Sequence, residues 1–160
     1  MLVYNHLVEP ALRAQSGRHQ QASMQIIGHG IDLVYIGEIR IWIEDPRDPL
    51  IQRCFTQRER EEVGDGLDRV EHLAGRFAAK EAVLKALGVG FGAGVAFSDV
   101  VIYRVAGSPP QVRLTGGAAK VAAELGVTGW HLSISHAGPI AMASAIAMGE
   151  TPYGGGEEPA

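Results

Sequence analysis

The sequence predicts an α+β domain in which an antiparallel sheet is packed with helices. Three observations point there. Residues 24–33 form an apolar run rich in isoleucine. Residues 68–88 repeat apolar positions at helical spacing. Residues 131–136 alternate with period two, then turn at Ala137-Gly-Pro139 into a partner run at 140–148. A strand, then helices, then mostly strands on short turns is the α+β order rather than the regular alternation of α/β proteins.

The first strand carries Ile26, Ile27, Ile31 and Leu33 and is expected to end near Asp32. Residues 34–42 either continue it or turn into a short helix, and Asp45-Pro46-Arg-Asp48-Pro49 reads as a loop. Phe55-Thr56-Gln-Arg-Glu59 is a capping box with a hydrophobic residue before it, so a short helix starts there and stops at Gly64. The long helix runs from about Asp68 and ends at Gly88, a favourable residue just past a helix end. The spaced glycines Gly88, Gly90, Gly92 and Gly94 form a turn. They are not a dinucleotide fingerprint, because that motif follows a strand and opens a helix, and here the order is reversed. Residues 95–105 read as a strand, Gly107-Ser-Pro-Pro110 as a turn, residues 111–114 as a short strand and residues 118–125 as a helix closed by Gly126.

This ordered part, residues 24–149, is long enough for one domain with a real core. Residues 1–23 read as a flexible extension upstream of a second methionine, Met24, without the apolar core of a secretory signal. Residues 150–160 are rich in Gly, Pro and Glu and read as a disordered tail. The net charge of −4 and the lack of a basic run argue against nucleic-acid binding. No apolar run is long enough to span a membrane. The single cysteine, Cys54, excludes an internal disulfide and fits a reducing cytoplasm.

The most informative stretch is Leu73-Ala-Gly-Arg-Phe-Ala-Ala-Lys-Glu-Ala-Val-Leu-Lys-Ala-Leu-Gly88. Ala74, Ala78, Glu81 and Lys85 share one helical stripe, beside an apolar stripe of Leu73, Phe77 and Leu84 that reads as core. Alanines leave space beside a helix, and a Glu and a Lys at the end of that space suit a metal ion and a phosphate. The same pair also fits an ordinary exposed Glu–Lys contact, worth about 0.2–0.5 kcal/mol. Asp32 is the second candidate carboxylate, although Asp also favours caps and turns. A serine hydrolase is disfavoured, since Ser133, Ser135 and His136 lack the Gly-x-Ser-x-Gly elbow. Zinc is disfavoured by the scattered histidines. Magnesium remains, because it can sit on one or two carboxylates and borrow substrate phosphates.

Four segments together resemble one family: Gly28-His-Gly-Ile-Asp32-Leu-Val34, Phe55-Thr-Gln-Arg-Glu59, the helix 73–88, and His131-Leu-Ser-Ile-Ser-His136. In this order, across about residues 24–148, they resemble the holo-acyl-carrier-protein synthases, the short bacterial 4′-phosphopantetheinyl transferases. The resemblance implies that 4′-phosphopantetheine moves from coenzyme A to a serine of apo acyl carrier protein, releasing adenosine 3′,5′-bisphosphate. It implies Mg2+ on Asp32 and Glu81, with Lys85 near the diphosphate as the third catalytic group. It also implies a cytoplasmic enzyme of lipid metabolism, serving fatty acid biosynthesis or a polyketide or other carrier, a homotrimer with active sites between protomers, and a basic helix that docks the carrier. Arg76, Lys80, Ser135 and His136 are expected to contact the phosphates or adenine of coenzyme A. Either a carboxylate or a metal-bound water takes the serine proton.

The chain departs from the family pattern at Tyr35, where Glu is general, and at Glu38, where Arg is general, with Gly37 between them. Arg40 is a replacement in a shifted register, with Arg47 and Arg53 downstream. The extension 1–23 is a further departure. A competing reading is a catalytically weak coenzyme A-binding module of the same fold, against which the intact Asp32, Glu81 and Lys85 argue.

Overall fold

The computed structural model describes residues 24–45, 49–90 and 94–150. The extension 1–23, most of the loop at 45–49, the centre of the glycine turn and the tail from 151 lie outside the described residues. The elements in chain order are β1 (Gln25–Tyr35), α1 (Ile36–Glu44), α2 (Leu50–Cys54), α3 (Gln57–Val63), α4 (Arg69–Ala86), a 3-10 turn (Phe97–Asp99), β2 (Val100–Tyr103), β3 (Gln111–Leu114), α5 (Gly116–Glu124), β4 (Val127–Ala137) and β5 (Ile140–Gly149). This is the expected α+β architecture. The main sheet is antiparallel in the order β1-β5-β4, and β2 and β3 form a separate antiparallel hairpin.

Helix α4 lies across the main sheet, and small residues on both sides bring the two together. Ala74, Ala78 and Ala82 of α4 are fully buried, as are Ala141, Ala143, Ala145 and Ala147 of β5. On β1 the approach is closer still. A Cβ added to Gly28 would lie 2.0 Å from the Ala86 carbonyl oxygen, and one added to Gly30 would lie 2.0 Å from that of Ala82. Only glycine tolerates a helix backbone at that distance. The expectation that the alanine stripe leaves open space is therefore corrected: that stripe is the packing seam itself.

Two strand boundaries also differ from expectation. β1 continues to Tyr35, so Asp32 sits inside the strand, opposite Ala143, rather than at its end. The run expected at 95–105 is a strand only from Val100 to Tyr103. The cause is Asp99. Its carboxylate accepts from Ala96 N at 3.1 Å and Gly117 N at 3.0 Å, and its carbonyl accepts from Thr115 N at 2.8 Å. A side chain that satisfies nearby backbone donors competes with the sheet ladder and tightens the chain into a turn.

The capping box is present as expected: Thr56 Oγ1 accepts from Glu59 N, and the Glu59 carboxylate accepts from Thr56 N. Beneath it, Phe77 is the hub of an aromatic cluster, with ring centroids 5.2 Å from Trp42 and 5.1 Å from Phe97. Leu73 and Leu84 are buried, so the apolar stripe is core as read.

Candidate active site

Alternation along β1 places Asp32 on the same face as Gly28 and Gly30, which is the face covered by α4. On α4, Glu81 and Lys85 are one turn apart. The three groups meet. Lys85 Nζ donates to Asp32 Oδ1 at 2.7 Å and to the Ile31 carbonyl at 3.1 Å. The lysine is half exposed while Asp32 is largely covered, so the contact has one solvent-facing partner and one sheltered one.

The electrostatics follow from this crowding. Burial raises the Glu81 pKa, the Asp32 charge raises it further, and Lys85 opposes both. Lys85 is held above its ordinary value, first by its hydrogen bond to Asp32. Two neighbouring carboxylates with one ammonium form a site short of positive charge. Among the described residues no group of three or more metal-ligating side chains exists. A cation here would rest on Asp32 and Glu81 alone and take its other ligands from water or a substrate, a donor set that suits a hard ion such as magnesium.

A separate cavity of about 470 Å³ opens where α3, α4, β2 and β4 converge. Its lining includes Arg76, His136, Glu62, Tyr103 and Arg104. It includes none of Asp32, Glu81 and Lys85. Gly75 lets the β4 side chains close, since a Cβ there would lie 2.9 Å from Ile134 Cγ2. Burial lowers the pKa of Arg76, opposed chiefly by the charge of Glu62.

Of the expected ligand contacts, Arg76 and His136 both reach this cavity. Lys80 does not, and its expected role is corrected. It is fully buried, 2.9 Å from the Glu59 carboxylate, and it donates to the Phe97 and Val100 carbonyls. An ammonium has three protons, and here all are spent inside the core. Ser135 does not line this cavity either. It stands opposite Met142 in the ladder, on the exposed face of the sheet, whereas His136 stands opposite the buried Ala141. Neighbours in a strand point to opposite faces. Sequence reasoning missed Glu62, Tyr103 and Arg104, because no spacing rule links α3 to the end of β2.

A family model described as the 4′-phosphopantetheinyl transferase superfamily matches residues 28–141. The chain is 48% identical over 124 residues to a holo-[acyl-carrier-protein] synthase of Desulforudis audaxviator, covering 78% of this chain and 94% of that one. It is 44% identical over 127 residues to the holo-[acyl-carrier-protein] synthase of Streptomyces coelicolor, covering 79% of this chain and all of that one. Among solved structures it resembles the ACPS–coenzyme A complex of Chronobacterium ammoniagenes, with a TM-score of 0.67 and 28% identity over 81% of this chain and 98% of that one.

Proposed function

The chain belongs to the 4′-phosphopantetheinyl transferase superfamily, and from that premise we propose how its groups divide the work of a holo-acyl-carrier-protein synthase. It transfers 4′-phosphopantetheine from coenzyme A to a serine hydroxyl of apo acyl carrier protein and releases adenosine 3′,5′-bisphosphate. The single observation that carries the residue-level reading is the convergence of Asp32, Glu81 and Lys85 within the matched segment.

The reaction breaks the bridging P–O bond of the coenzyme A diphosphate and forms a new one to the serine oxygen. The serine proton must leave, and the bisphosphate departs with the negative charge. Such transfers need positioning and charge neutralisation more than covalent help from the protein. Asp32 and Glu81 would hold Mg2+, which when bound neutralises the diphosphate oxygens. Lys85 is exposed enough to move its ammonium from Asp32 to an oxygen of the departing phosphate. Arg76 and His136 would take the nucleotide end in the cavity, where a half-buried guanidinium suits a phosphate better than an ammonium does.

The acid–lysine cluster and the cavity are distinct features of the chain, which favours an active site completed between protomers. We take the assembly to be a trimer. Its contact surface would be the sheet face away from α4, where Ile31, Leu33, Tyr35 and Met142 stand exposed side by side. A contiguous apolar patch of this kind marks an interaction surface. The carrier would dock on α1 and α2, whose arginines Arg40 and Arg53 are exposed. Arg47 lies outside the described residues. No helix among the described residues is long and apolar enough to cross a membrane. A cytoplasmic role in fatty acid biosynthesis is the setting this reading supports. A catalytically weak coenzyme A-binding module is not favoured, since binding alone gives no reason for Lys85 and two carboxylates to meet.

The test is direct. The protein is incubated with coenzyme A, Mg2+ and apo acyl carrier proteins, and the carriers are weighed by mass spectrometry. The expected result is a gain of one phosphopantetheinyl group that disappears when Mg2+ is chelated. A carrier left unmodified while coenzyme A still binds would leave the binding-module reading in its place. Sedimentation equilibrium tests the trimer.

A further inference from the structure

Two carboxylates, Glu62 and Glu71, line the cavity and work against the ligand that the proposed function puts there, and Glu62 is the one that faces Arg76. Glu62 extends its carboxylate between two arginines. Its Oε1 accepts from Arg58 Nε at 2.9 Å, and its Oε2 lies 3.6 Å from Arg76 Nη2. The first contact is a full hydrogen bond, and the second is too long for one of normal strength. Arg76 is the more deeply placed, with its side chain 14% exposed against 64% for Arg58. Its Nε is buried with no hydrogen-bond partner. A guanidinium offers five donors, and leaving them unused away from water is costly. Arg76 is thus a partly buried cation whose facing carboxylate is already hydrogen-bonded elsewhere.

Resting on the reading of this cavity as the nucleotide end of the coenzyme A site, we propose that Glu62 is a built-in competitor for the incoming phosphate. It balances Arg76 while the cavity is empty of ligand. A phosphate then displaces it, and Arg58 retains the released carboxylate. The exchange is favourable because phosphate carries more charge than a carboxylate and meets the guanidinium with two parallel hydrogen bonds. Affinity for the nucleotide is then the difference between two anions on Arg76 rather than the strength of one. The same device hastens release of adenosine 3′,5′-bisphosphate, a step that limits turnover in many transferases when product binds tightly. Glu62 therefore sets specificity and release without touching the bond that breaks.

The experiment measures the affinity of adenosine 3′,5′-bisphosphate by calorimetry for the wild type, Glu62→Gln, Arg58→Gln, Arg76→Gln and the double variant Glu62→Gln/Arg76→Gln. Free 4′-phosphopantetheine, which lacks the nucleotide, is the control probe. Glu62→Gln is nearly isosteric at a surface-facing site, and a thermal melt confirms that it folds. It should bind the bisphosphate about two- to fivefold more tightly, the scale of one partly exposed charge pair. Arg58→Gln should act in the opposite sense, about two- to fivefold weaker, because Glu62 then turns wholly to Arg76. In the Arg76→Gln background the gain from Glu62→Gln should vanish. An unchanged or weaker Glu62→Gln, a gain that persists without Arg76, or an equal gain for phosphopantetheine each overturns the proposal. If the wild type binds neither the bisphosphate nor coenzyme A, the functional reading fails and this inference with it. If the wild type binds and transfers while Glu62→Gln does not respond, the inference alone fails.

Discussion

Lys80 on α4 and Glu59 on α3 form an ion pair closed to solvent, with 2.9 Å between ammonium and carboxylate. The pair is also the junction of four elements. Glu59 caps its own helix at Thr56 and accepts from Ile102 N at 3.0 Å, while Lys80 binds carbonyls of the 3-10 turn and β2. Removing one partner leaves a buried charge uncompensated. Lys80→Met should cost about 3–5 kcal/mol in urea unfolding, and Glu59→Gln in the same background should return part of that loss. A single-variant loss under about 1 kcal/mol, typical of an exposed pair, would contradict this account.

The carboxylates of the proposed active site carry the opposite balance between stability and function. Asp32→Ala and Glu81→Gln should each lower transfer by at least about a thousandfold, roughly 4 kcal/mol of transition-state stabilisation, with the fold retained. Near-wild-type rates in both would remove them from the catalytic set.

Without divalent cation, however, Glu81→Gln should stabilise the protein. Burial and Asp32 raise the Glu81 pKa in the folded state. Between the unfolded carboxylate value and that raised value the folded state holds more protons, so stability falls as pH rises through this window. The ionised group is then strained at neutral pH. Glu81 is only partly buried, so the gain from Gln is below about 1 kcal/mol after solvent screening. Melting temperatures from the acid range to neutrality, with chelator, should show a small pH-dependent slope in the wild type that flattens in the variant. A Gln variant less stable than the wild type throughout would reverse the argument.

Much of this arrangement was legible because periodicity is a property of the chain. Glycines at 28 and 30 followed by Asp32 share one strand face, and Glu81 and Lys85 share one helix face, before any tertiary contact is known. What could not be read is what lies opposite those faces. Lys80 looks like a surface charge between Ala79 and Glu81, and only a carboxylate 21 residues upstream and two carbonyls downstream explain its burial. Glu59 looked complete as a cap while it had a second oxygen for Lys80 and Ile102. The sequence alternation set His136 and Ser135 on opposite faces, but it did not say which face carried the cavity. The strand expected from residue 95 failed at Asp99, where local side-chain bonds outcompeted pairing.

Lys85 separates two readings of the helical Glu–Lys spacing. If its ammonium follows the leaving group, Lys85→Ala should cut single-turnover transfer by about a hundredfold or more while coenzyme A affinity changes far less. If it only balances Asp32, the change is below about 1 kcal/mol in stability and absent from the rate. Comparing single-turnover rates with equilibrium binding distinguishes these outcomes. A parallel loss in both would make Lys85 a binding residue.

On the proposed reading, carrier docking turns on the sign of charge along α1. Acyl carrier proteins are acidic, and a partner steered by charge needs an exposed basic face. Glu38 stands where the resemblance leads one to expect Arg, and both Glu38 and Arg40 are exposed on α1, with Arg53 exposed on α2. Gly37 is explained locally: a Cβ there would lie 2.5 Å from the Tyr35 ring, so Tyr35 packs against Gly37. With Tyr35 over the start of α1, Arg40 is the first arginine free to meet the carrier. Arg40→Glu should raise the Michaelis constant for the carrier about tenfold and flatten its dependence on ionic strength, because salt screens what is no longer there. Coenzyme A affinity should not move, since Arg40 is not among the residues lining the cavity. Glu38→Arg should lower the carrier constant in low salt and lose that gain as salt rises. Carrier kinetics indifferent to both changes across the salt range would place the docking surface elsewhere on the molecule.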